Sequence, residues 1–518
     1  MSIKMIRSTD RGAPVLSGQQ GKMGDLLLAA LVEGFPKYTQ GVNGANSTSG
    51  DHTTVTVHLP AHPFVTGQEV TVSGLDDEYN GNWILSATST DYIFYVKTGT
   101  SSYPSAGSAV VSGEATVGTA VSVTRVGTTV TVVMTGHGFS VGHRAKLHGA
   151  NQPEYNGWQT ITTVADANTF TFEIPASATP VTPATGTILV RYGSCALGWT
   201  QAFTATNKRV FKQGAKSALA RHFLYVGEEN SSYHTYGASM GMVESATSAT
   251  AFTGPYYADV TSVSGGVGKS ATADTTARNW VVLGDHRTFI LLTQPGFGNA
   301  SVSASGWCPA YFGDIVSYLP GDPAPILSAQ TTRGGYSWNS PEYVYGHQVG
   351  NGGTFIGNVA IHAYAYSDSE ANNHPLRMRY NHLGQAGYIQ PVFISLMACA
   401  YVLNPQNTGS NGRASSAWAG TTYYNYTYPD PVHGGINLDE LHIMHGTTTS
   451  NSGTPVLRGK ARGLHMLLHN RASLPFANND TFDGAGVFAG KKFEIFDFTY
   501  KPTDFGCFVV EVSDTWSA

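Results

Sequence analysis

The chain has 518 residues, of which 41% are hydrophobic and only 12% are charged, and its formal net charge is −5. This length exceeds what one hydrophobic core ordinarily serves and predicts roughly two to four domains. The hydrophobic content excludes a disordered chain. Because the net charge is weak and no run of Lys and Arg occurs, we expect no nucleic-acid partner.

Glycine is abundant, with 60 residues, and aromatic residues make up 11% of the chain. β-Branched and aromatic residues fit pleated surfaces, and Gly, Asn and Asp fit the corners between strands. The composition therefore predicts an all-β, multi-domain antiparallel protein.

The chain begins MSIKMIRSTDRGAP, without the apolar core that a signal peptide requires, so we expect synthesis and folding in a cytoplasm. The longest apolar stretch, Pro391–Leu403, is too short to cross a bilayer, so we expect no membrane insertion. The four cysteines are far apart and match no metal-binding spacing, which favours reduced thiols. They are Cys195, Cys308, Cys399 and Cys507.

One segment near the start has helical periodicity. In SGQQGKMGDLLLAALVEGF, apolar residues recur at helical spacing from about Gly21 to Glu33, and Gly34 is a typical stop. Residues 1–45 are thus predicted to be an N-terminal segment with a short helix that belongs to the core. The polar stretch NGANSTSG at 43–50 is predicted to be a linker.

Two stretches of the following region repeat each other. HPFVTGQEVTVSGLDDEYNG (62–81) is followed by HGFSVGHRAKLHGANQPEYNG (137–157), and TTVTV occurs at both 53–57 and 128–132. Period-two alternation and Asn-Gly corners indicate antiparallel hairpins. We predict two tandem modules, 51–115 and 120–192, each a small sandwich of the immunoglobulin-like kind or a small barrel.

The remaining chain, 193–518, consists of one strand-like segment after another, such as RHFLYVGE and KKFEIFDFTY. No helical period is sustained in it. It is predicted to be a large β-rich core region of one domain or two.

Several phrases resemble a group of virion structural proteins of tailed bacteriophages. DRGAPVLSGQQGKMGDLLLAALVEGF (10–35) resembles the start of those proteins, and GWTQAFTATNKRVFKQG (198–214) resembles the phrase that comes directly after it there. Three later phrases also resemble the group. They are NWVVLGDHRTFILLTQPGF (279–297), FGDIVSYLPGD (312–322) and RGKARGLHMLLHNR (458–471).

The resemblance covers roughly 1–40 and 198–518, and it implies a component of a virus particle without catalytic residues to carry over. The middle of the chain does not match. We interpret it as an insertion of two β-modules that project outward from an exposed loop of an older structural core, where insertions are best tolerated.

Few residues indicate catalysis or metal binding. Gly237–Gly241 fits the G-x-S-x-G nucleophile pattern around Ser239, but the next stretch, MVESATSATAFTGPYY (242–257), is a poor helix former, and the pattern requires a helix there. Four histidines are weak metal-ligand candidates whose simpler interpretation is separate hydrogen-bonded side chains. They are His442, His445, His465 and His469.

The stretch NNDTFDG (478–484) misses the calcium-loop spacing by a residue, and Asx turns explain it at least as well. No catalytic residue, cofactor or established metal site is therefore predicted.

The repeat also places aromatic residues at its Asn-Gly turns. Such rings could stack on sugars or form a contact with a partner, but a large aromatic residue beside a turn more often closes a small module's core. They are Tyr79, Trp83, Tyr155 and Trp158. The repeated His62 and His137 are interpreted as turn residues.

These observations predict a structural virion protein without enzymatic activity. It would assemble as a trimer or larger symmetric homo-oligomer with other virion proteins on the tail, collar, baseplate or capsid, with the modules projecting outward. The alternative is a tail fibre or spike that recognises host-surface glycans. A depolymerase or esterase is the third hypothesis.

Overall fold

The computed structural model describes most of the chain, in several segments. These are residues 3–39, 45–47, 53–75, 78–97, 109–215, 219–228, 237–255, 266–296, 306–318, 320, 326–330, 378–380, 386–395, 408–409, 413–414, 428–447, 456–467, 469, 474–497 and 507–517. Nearly all regular structure in them is β-strand in antiparallel sheets, with one short helix, so the predicted all-β class is confirmed. Across these segments, no helix is long and apolar enough to cross a membrane.

The chain folds into two compact units. The first comprises the described residues of 1–5, 15–25 and 200–518, and the second those of 6–14 and 26–199. The two repeats therefore lie together in one unit, and the N-terminal segment is divided between the units.

Strand β1 (Lys4–Arg7) precedes the predicted helix, which begins as helix α1 at Lys22–Leu27 and widens into a π-helical turn at Leu28–Glu33. It ends at Gly34, where φ is 61°, a left-handed value that glycine adopts without strain. The carbonyls of Ala30 and Leu31 accept hydrogen bonds from the N–H groups of residues 197–199. The carbonyls of this wide turn therefore accept hydrogen bonds from outside the helix.

Each repeat forms a seven-stranded module. In module 1 the sheet order is β2-β8-β5-β6-β7-β4-β3. Its strands are β2 (Lys37–Thr39), β3 (Ala45–Ser47), β4 (Thr54–His58), β5 (Glu69–Ser73), β6 (Gly81–Thr88), β7 (Tyr92–Val96) and β8 (Val110–Gly113).

Module 2 has the order β9-β15-β12-β13-β14-β11-β10, the same topology strand for strand. Its strands are β9 (Ala115–Thr119), β10 (Ser122–Val126), β11 (Thr129–Val133), β12 (Arg144–His148), β13 (Gly157–Asp166), β14 (Thr169–Glu173) and β15 (Leu189–Tyr192). The module bounds predicted from the sequence leave out β2, β3 and most of β9. A short polar strand such as β3 resembles a linker in sequence.

The repeated residues perform the same local tasks in both copies. The side chain of Asn80 bonds both the N–H and the carbonyl of Leu75, and Asn156 bonds the same two groups of Ala150. These amides close the loop before the Asn-Gly corner.

The paired histidines brace their turns, as interpreted from the sequence. In each copy the ring Nδ1 accepts the N–H two residues on, at 3.1 Å for His62 and 3.0 Å for His137. The ring Nε2 lies 3.1 and 3.0 Å from the carbonyls of Tyr92 and Asp166, respectively. Each imidazole therefore fits the neutral tautomer with its proton on Nε2.

The chain leaves module 1 at the end of β8 and returns to it at the next pairing position of the same strand. Strands β2 and β8 pair Lys37 with Ser112, so the position opposite Phe35 in this register would be residue 114. Instead Phe35 exchanges two backbone hydrogen bonds with Ser194, of 3.0 and 2.6 Å. Ser194 thus continues the line of β8, and module 2 is inserted between Gly113 and Ser194.

The strands of the remaining sheets lie in the other unit, except that β1 is divided between the units after Met5. Their orders are β1-β22-β23-β24-β26, β16-β17-β18-β19-β20 with β21 beside β19, β27-β28-β31-β32-β35-β34-β33 with β25 beside β32, and the pair β29-β30. Strands β16 to β24 are Thr200–Ala205, Lys208–Lys212, Phe223–Gly227, Gly237–Ala246, Phe252–Pro255, Gly266–Gly268, Trp280–Gly284, Thr288–Thr293 and Cys308–Asp314. Strands β25 to β35 are Val316–Ser317, Ile326–Gln330, Met378–Tyr380, Ala386–Ser395, Thr408–Gly409, Arg413–Ala414, Leu438–Thr447, Val456–Leu467, Thr481–Asp483, Lys492–Asp497 and Cys507–Glu511.

A buried carboxylate holds the first turn of helix α1. Glu228 accepts the N–H groups of Met23 and Gly24 at 3.1 and 3.2 Å, and the Lys269 ammonium donates to it at 2.5 Å. Burial raises the pKa of the Glu228 carboxyl and lowers the pKa of the Lys269 ammonium, against their mutual attraction. The negative charge suits the positive end of the helix dipole.

The register at Ser194 predicts that module 2 can be removed without disturbing module 1. Deleting 114–193 joins Gly113 to Ser194 in the existing register. We expect a folded protein whose melting temperature falls by less than about 10 °C, measured by scanning calorimetry. The matched control deletes 114–192. It retains one extra residue, which turns the subsequent side chains to the opposite face, and should melt lower. Equal melting of the two variants would contradict the assigned register.

Candidate functional site

Strand pairing places the predicted tryptophans on opposite faces of their modules. Val72 and Leu147 pair with the glycines of the two Asn-Gly corners. Trp83 is two residues beyond its glycine and Trp158 only one. Because side chains alternate along a strand, Trp83 points into its module and Trp158 points out. The shared Y-N-G phrase concealed this difference of one residue.

Three of the four aromatic candidates lie in module cores. Tyr79 and Tyr155 are completely buried. The Trp83 indole stacks on Tyr95 with ring centroids 4.9 Å apart and donates to the carbonyl of Tyr79 at 3.0 Å. The two tyrosines belong to the module cores, and the partly buried Trp83 packs against the core of module 1.

Trp158 lies beneath two cationic side chains. The guanidinium of Arg144 is 4.7 Å from its ring centroid and the ammonium of Lys146 is 5.8 Å away. Arg144 also forms a bidentate ion pair with Asp10, and Lys146 pairs with Glu114 at 2.6 Å. The two cations hold the Trp158 ring in place by cation–π contacts. The ion pair with Arg144 attaches Asp10 to strand β12.

The histidine candidates do not form a common site where they are described. His442 and His445 lie on strand β31, and their side chains are outside the described part of the structure. His465 is buried between two phenylalanine rings with its Nε2 3.4 Å from Glu511, whereas His469 accepts the N–H of Asn437 at 2.7 Å. In the part of the chain that the structure describes, no three His, Cys, Asp or Glu side chains are placed to hold a metal.

The two other motifs form regular β-structure. Ser239 lies within the single strand β19, paired with Gly227 and Gly266 on either side. The strand–turn–helix geometry of a nucleophile elbow is therefore not formed at Ser239. In the stretch 478–484, the Asp480 carboxylate accepts the N–H of Ala477 at 2.6 Å, and the Asp480 N–H donates to the Ala477 carbonyl at 3.2 Å, which closes a tight turn.

The most extensive cluster of charges along the described segments was not predicted from the sequence. Arg287 forms a bidentate ion pair with Asp314 at 2.8 and 3.0 Å, and both side chains are almost fully buried. Arg462 donates to Asp285 at 2.8 Å. We call Asp285, Arg287, Asp314 and Arg462 the charge cluster.

The charge cluster satisfies its own hydrogen-bonding groups. The Asp285 carboxylate accepts the N–H groups of Arg287 and Thr288 besides the Arg462 guanidinium. The remaining donors of Arg287 reach the carbonyls of Gly214 and Ala220 at 3.1 and 2.9 Å. Buried charges that are bonded in this way hold the strands around them in one arrangement.

The cluster brings together side chains from four of the five phrases whose resemblance to virion proteins was noted in the sequence. Asp285 and Arg287 lie in 279–297, Asp314 in 312–322 and Arg462 in 458–471. From 198–214, the side chain of Gln213 donates to Asp314 at 3.1 Å. The sequence alone does not show this cluster, because Asp314 and Arg462 lie 148 positions apart in the chain. Only the fold brings them into one cluster.

No protein-family model and no curated protein matches the sequence. Among solved structures, the phage phi92 endosialidase is similar over 93% of this chain and 68% of that chain, with 10% sequence identity and a TM-score of 0.14. A TM-score this low does not establish a common fold.

The opposite orientation of the tryptophans predicts unequal effects of truncation. Trp83→Ala removes core stacking and a hydrogen bond and should destabilise module 1 by about 3 kcal/mol. Trp158→Ala removes an outer cation–π contact and should cost about 1 kcal/mol. Urea unfolding of the full chain, followed by circular dichroism, compares the two. A larger loss for Trp158→Ala would contradict the assigned faces.

The charge cluster predicts a loss of stability in acid. Burial alone would raise the pKa of Asp285, but the charge and hydrogen bond of Arg462, together with the backbone N–H of Arg287, outweigh it, and the pKa lies below its ordinary value. The unfolded chain therefore takes up the proton first. The stabilisation is present at neutral pH and is lost as the pH falls below about 4.

Asp285→Asn should accordingly lower the free energy of unfolding by about 3 kcal/mol at neutral pH, and its deficit should shrink towards pH 3. Denaturant titrations at several pH values measure it. Asp514→Asn, at an exposed position, is the control. A deficit independent of pH would show that the carboxylate charge contributes nothing.

Proposed function

We propose that this chain is a structural component of a tailed bacteriophage virion that acts through protein–protein assembly rather than catalysis. The observation that carries the proposal is the charge cluster. It joins side chains from four of the five phrases that resemble virion proteins in one largely buried, hydrogen-bonded network. A network of this kind maintains a fold, and the resemblance would then reflect a common structural core.

The low share of charged residues supports the same role. Charged residues make up 12% of the chain, about half the usual share, and interface cores are depleted of charge. The insertion of module 2 at a single register position also fits a particle protein that has acquired modules without changing its core. The tail, collar, baseplate or capsid would each accommodate such a component.

The test is the mass of the full chain in solution, by light scattering during size exclusion at two concentrations. We expect a symmetric oligomer of three or more copies. The variant lacking 114–193 should retain it, because the phrases that resemble virion proteins lie outside module 2. A monomer at every concentration would overturn the assembly role. An oligomer lost with module 2 would assign assembly to the insertion instead.

A further inference from the structure

The turns that lead into β5 and β12 are closed by the same pair of hydrogen bonds. In module 1 the N–H of Gln68 donates to the carbonyl of Val65 at 3.1 Å, and the Gln68 side chain accepts the N–H of Val65 at 3.1 Å. In module 2 the N–H of His143 donates to the carbonyl of Ser140 at 3.0 Å, and the ring Nδ1 accepts the N–H of Ser140 at 3.1 Å. Gln68 and His143 therefore perform one structural task.

The two acceptors differ in one chemical respect. The amide of Gln68 does not titrate, whereas an imidazole gains a proton near pH 6.5. A protonated His143 would carry hydrogen on both ring nitrogens, so that Nδ1 would face the N–H of Ser140 as a second donor. The turn can thus be closed by a side chain that is independent of pH, yet module 2 closes it with one that responds to pH.

Residues 8–14, which we call the strap, lie along module 2 where this turn ends. Asp10 forms a β-bridge with Arg144 and the bidentate ion pair described above. Arg144 is the residue after His143. The strap is therefore anchored directly beside the histidine.

Arg11 attaches the strap to the turn itself. Its guanidinium donates to the carbonyl of His137 at 3.0 Å and lies 4.2 Å from the ring centroid of Tyr192. It also lies 5.7 Å from the ring centroid of Phe139, in the same turn. A guanidinium keeps its charge at neutral and at acidic pH. Docking of the strap thus places a permanent cation next to the turn that His143 closes.

The surroundings of His143 disfavour a second positive charge. The charged groups near it are two cations and one carboxylate, and one further titratable ring lies in the same turn. They are Arg11, Arg144, Asp10 and His137. The neighbouring residues of β13, Thr160 and Ile161, are uncharged. Burial and then the charge of Arg11 lower the pKa of His143, and Asp10 opposes them by less, because its carboxylate is already paired with Arg144.

Docking of the strap and protonation of His143 therefore oppose each other. When the strap leaves, Arg11 leaves with it and the ring gains water, so the undocked state takes up the proton more readily. The docked state is accordingly favoured above the ordinary histidine value of about 6.5, and a fall in pH below that value shifts the equilibrium towards the undocked state.

We propose that His143 is an acid-sensitive switch that holds the strap on module 2 at neutral pH and releases it as the pH falls towards about 5. The amide-closed turn of module 1 is the equivalent without a response to pH. The proposal does not depend on the assembly role proposed above.

Hydrogen exchange of the full chain, followed by mass spectrometry, tests the release. His143→Gln gives module 2 the acceptor that module 1 already uses, so the turn should remain closed. Wild-type and variant chains are compared at each pH, which cancels the intrinsic pH dependence of exchange. We expect the ratio of wild-type to variant exchange rates in residues 8–14 to rise about threefold or more between about pH 8 and about pH 5.5.

The matched control is His148→Gln, which changes an exposed histidine of the same strand β12. It should leave the pH dependence of exchange in the strap as it is in the wild-type chain. A ratio for His143→Gln that stays constant with pH would overturn the proposal. An equal acid-induced rise in β11 and β14 would overturn it as well, because the histidine would then destabilise the whole module.

A second measurement reads the proton itself. In chains labelled isotopically at histidine Cε1, the nuclear magnetic resonance signal that disappears in His143→Gln belongs to His143. It should titrate below the ordinary histidine value of about 6.5. Arg11→Met should raise its midpoint, because that variant removes the neighbouring charge. A midpoint at or above the ordinary value, or one that Arg11→Met leaves unchanged, would contradict the switch.

Discussion

The buried ion pair between Arg287 and Asp314 is the constraint on which the larger unit depends. Two charges removed from water stabilise a fold only if their remaining donors and acceptors are bonded. Here the guanidinium also reaches the carbonyls of Gly214 and Ala220, and Gln213 supplies a further donor to Asp314. Segments far apart in the chain must therefore come together before either charge is satisfied. Such a network specifies one arrangement of strands, because a partial version leaves a buried charge unpaired.

A different constraint organises the modules. Phe35 and Ser194 exchange two backbone hydrogen bonds at the position that residue 114 would otherwise occupy. A strand that resumes in the same register keeps its side chains on the correct faces. An entire second module can therefore be added there while the pairing of β2 with β8 is preserved. The two modules then share a topology strand for strand, as a tandem duplication would leave them.

Much of this architecture could be predicted from local patterns. The all-β class, the short helix and the repeat follow from composition and periodicity, and Gly34 marks the helix end as expected. The π-helical turn could not be predicted, because it depends on hydrogen bonds from residues 197–199. The charge cluster was also missed. Asp285 and Arg462 are ordinary in sequence, and only the topology brings their side chains within 2.8 Å.

The two tryptophans show that a shared motif can conceal opposite side-chain orientations. Trp83 and Trp158 come after the same Y-N-G phrase, and a difference of one residue sends one ring inward and the other outward. A repeat therefore fixes backbone geometry more strictly than it fixes surfaces. With core positions held constant, the outward positions are free to diverge. Tyr92, Phe94 and Val96 of module 1 stand where module 2 has Thr169, Thr171 and Glu173, so one backbone is built with different outward side chains.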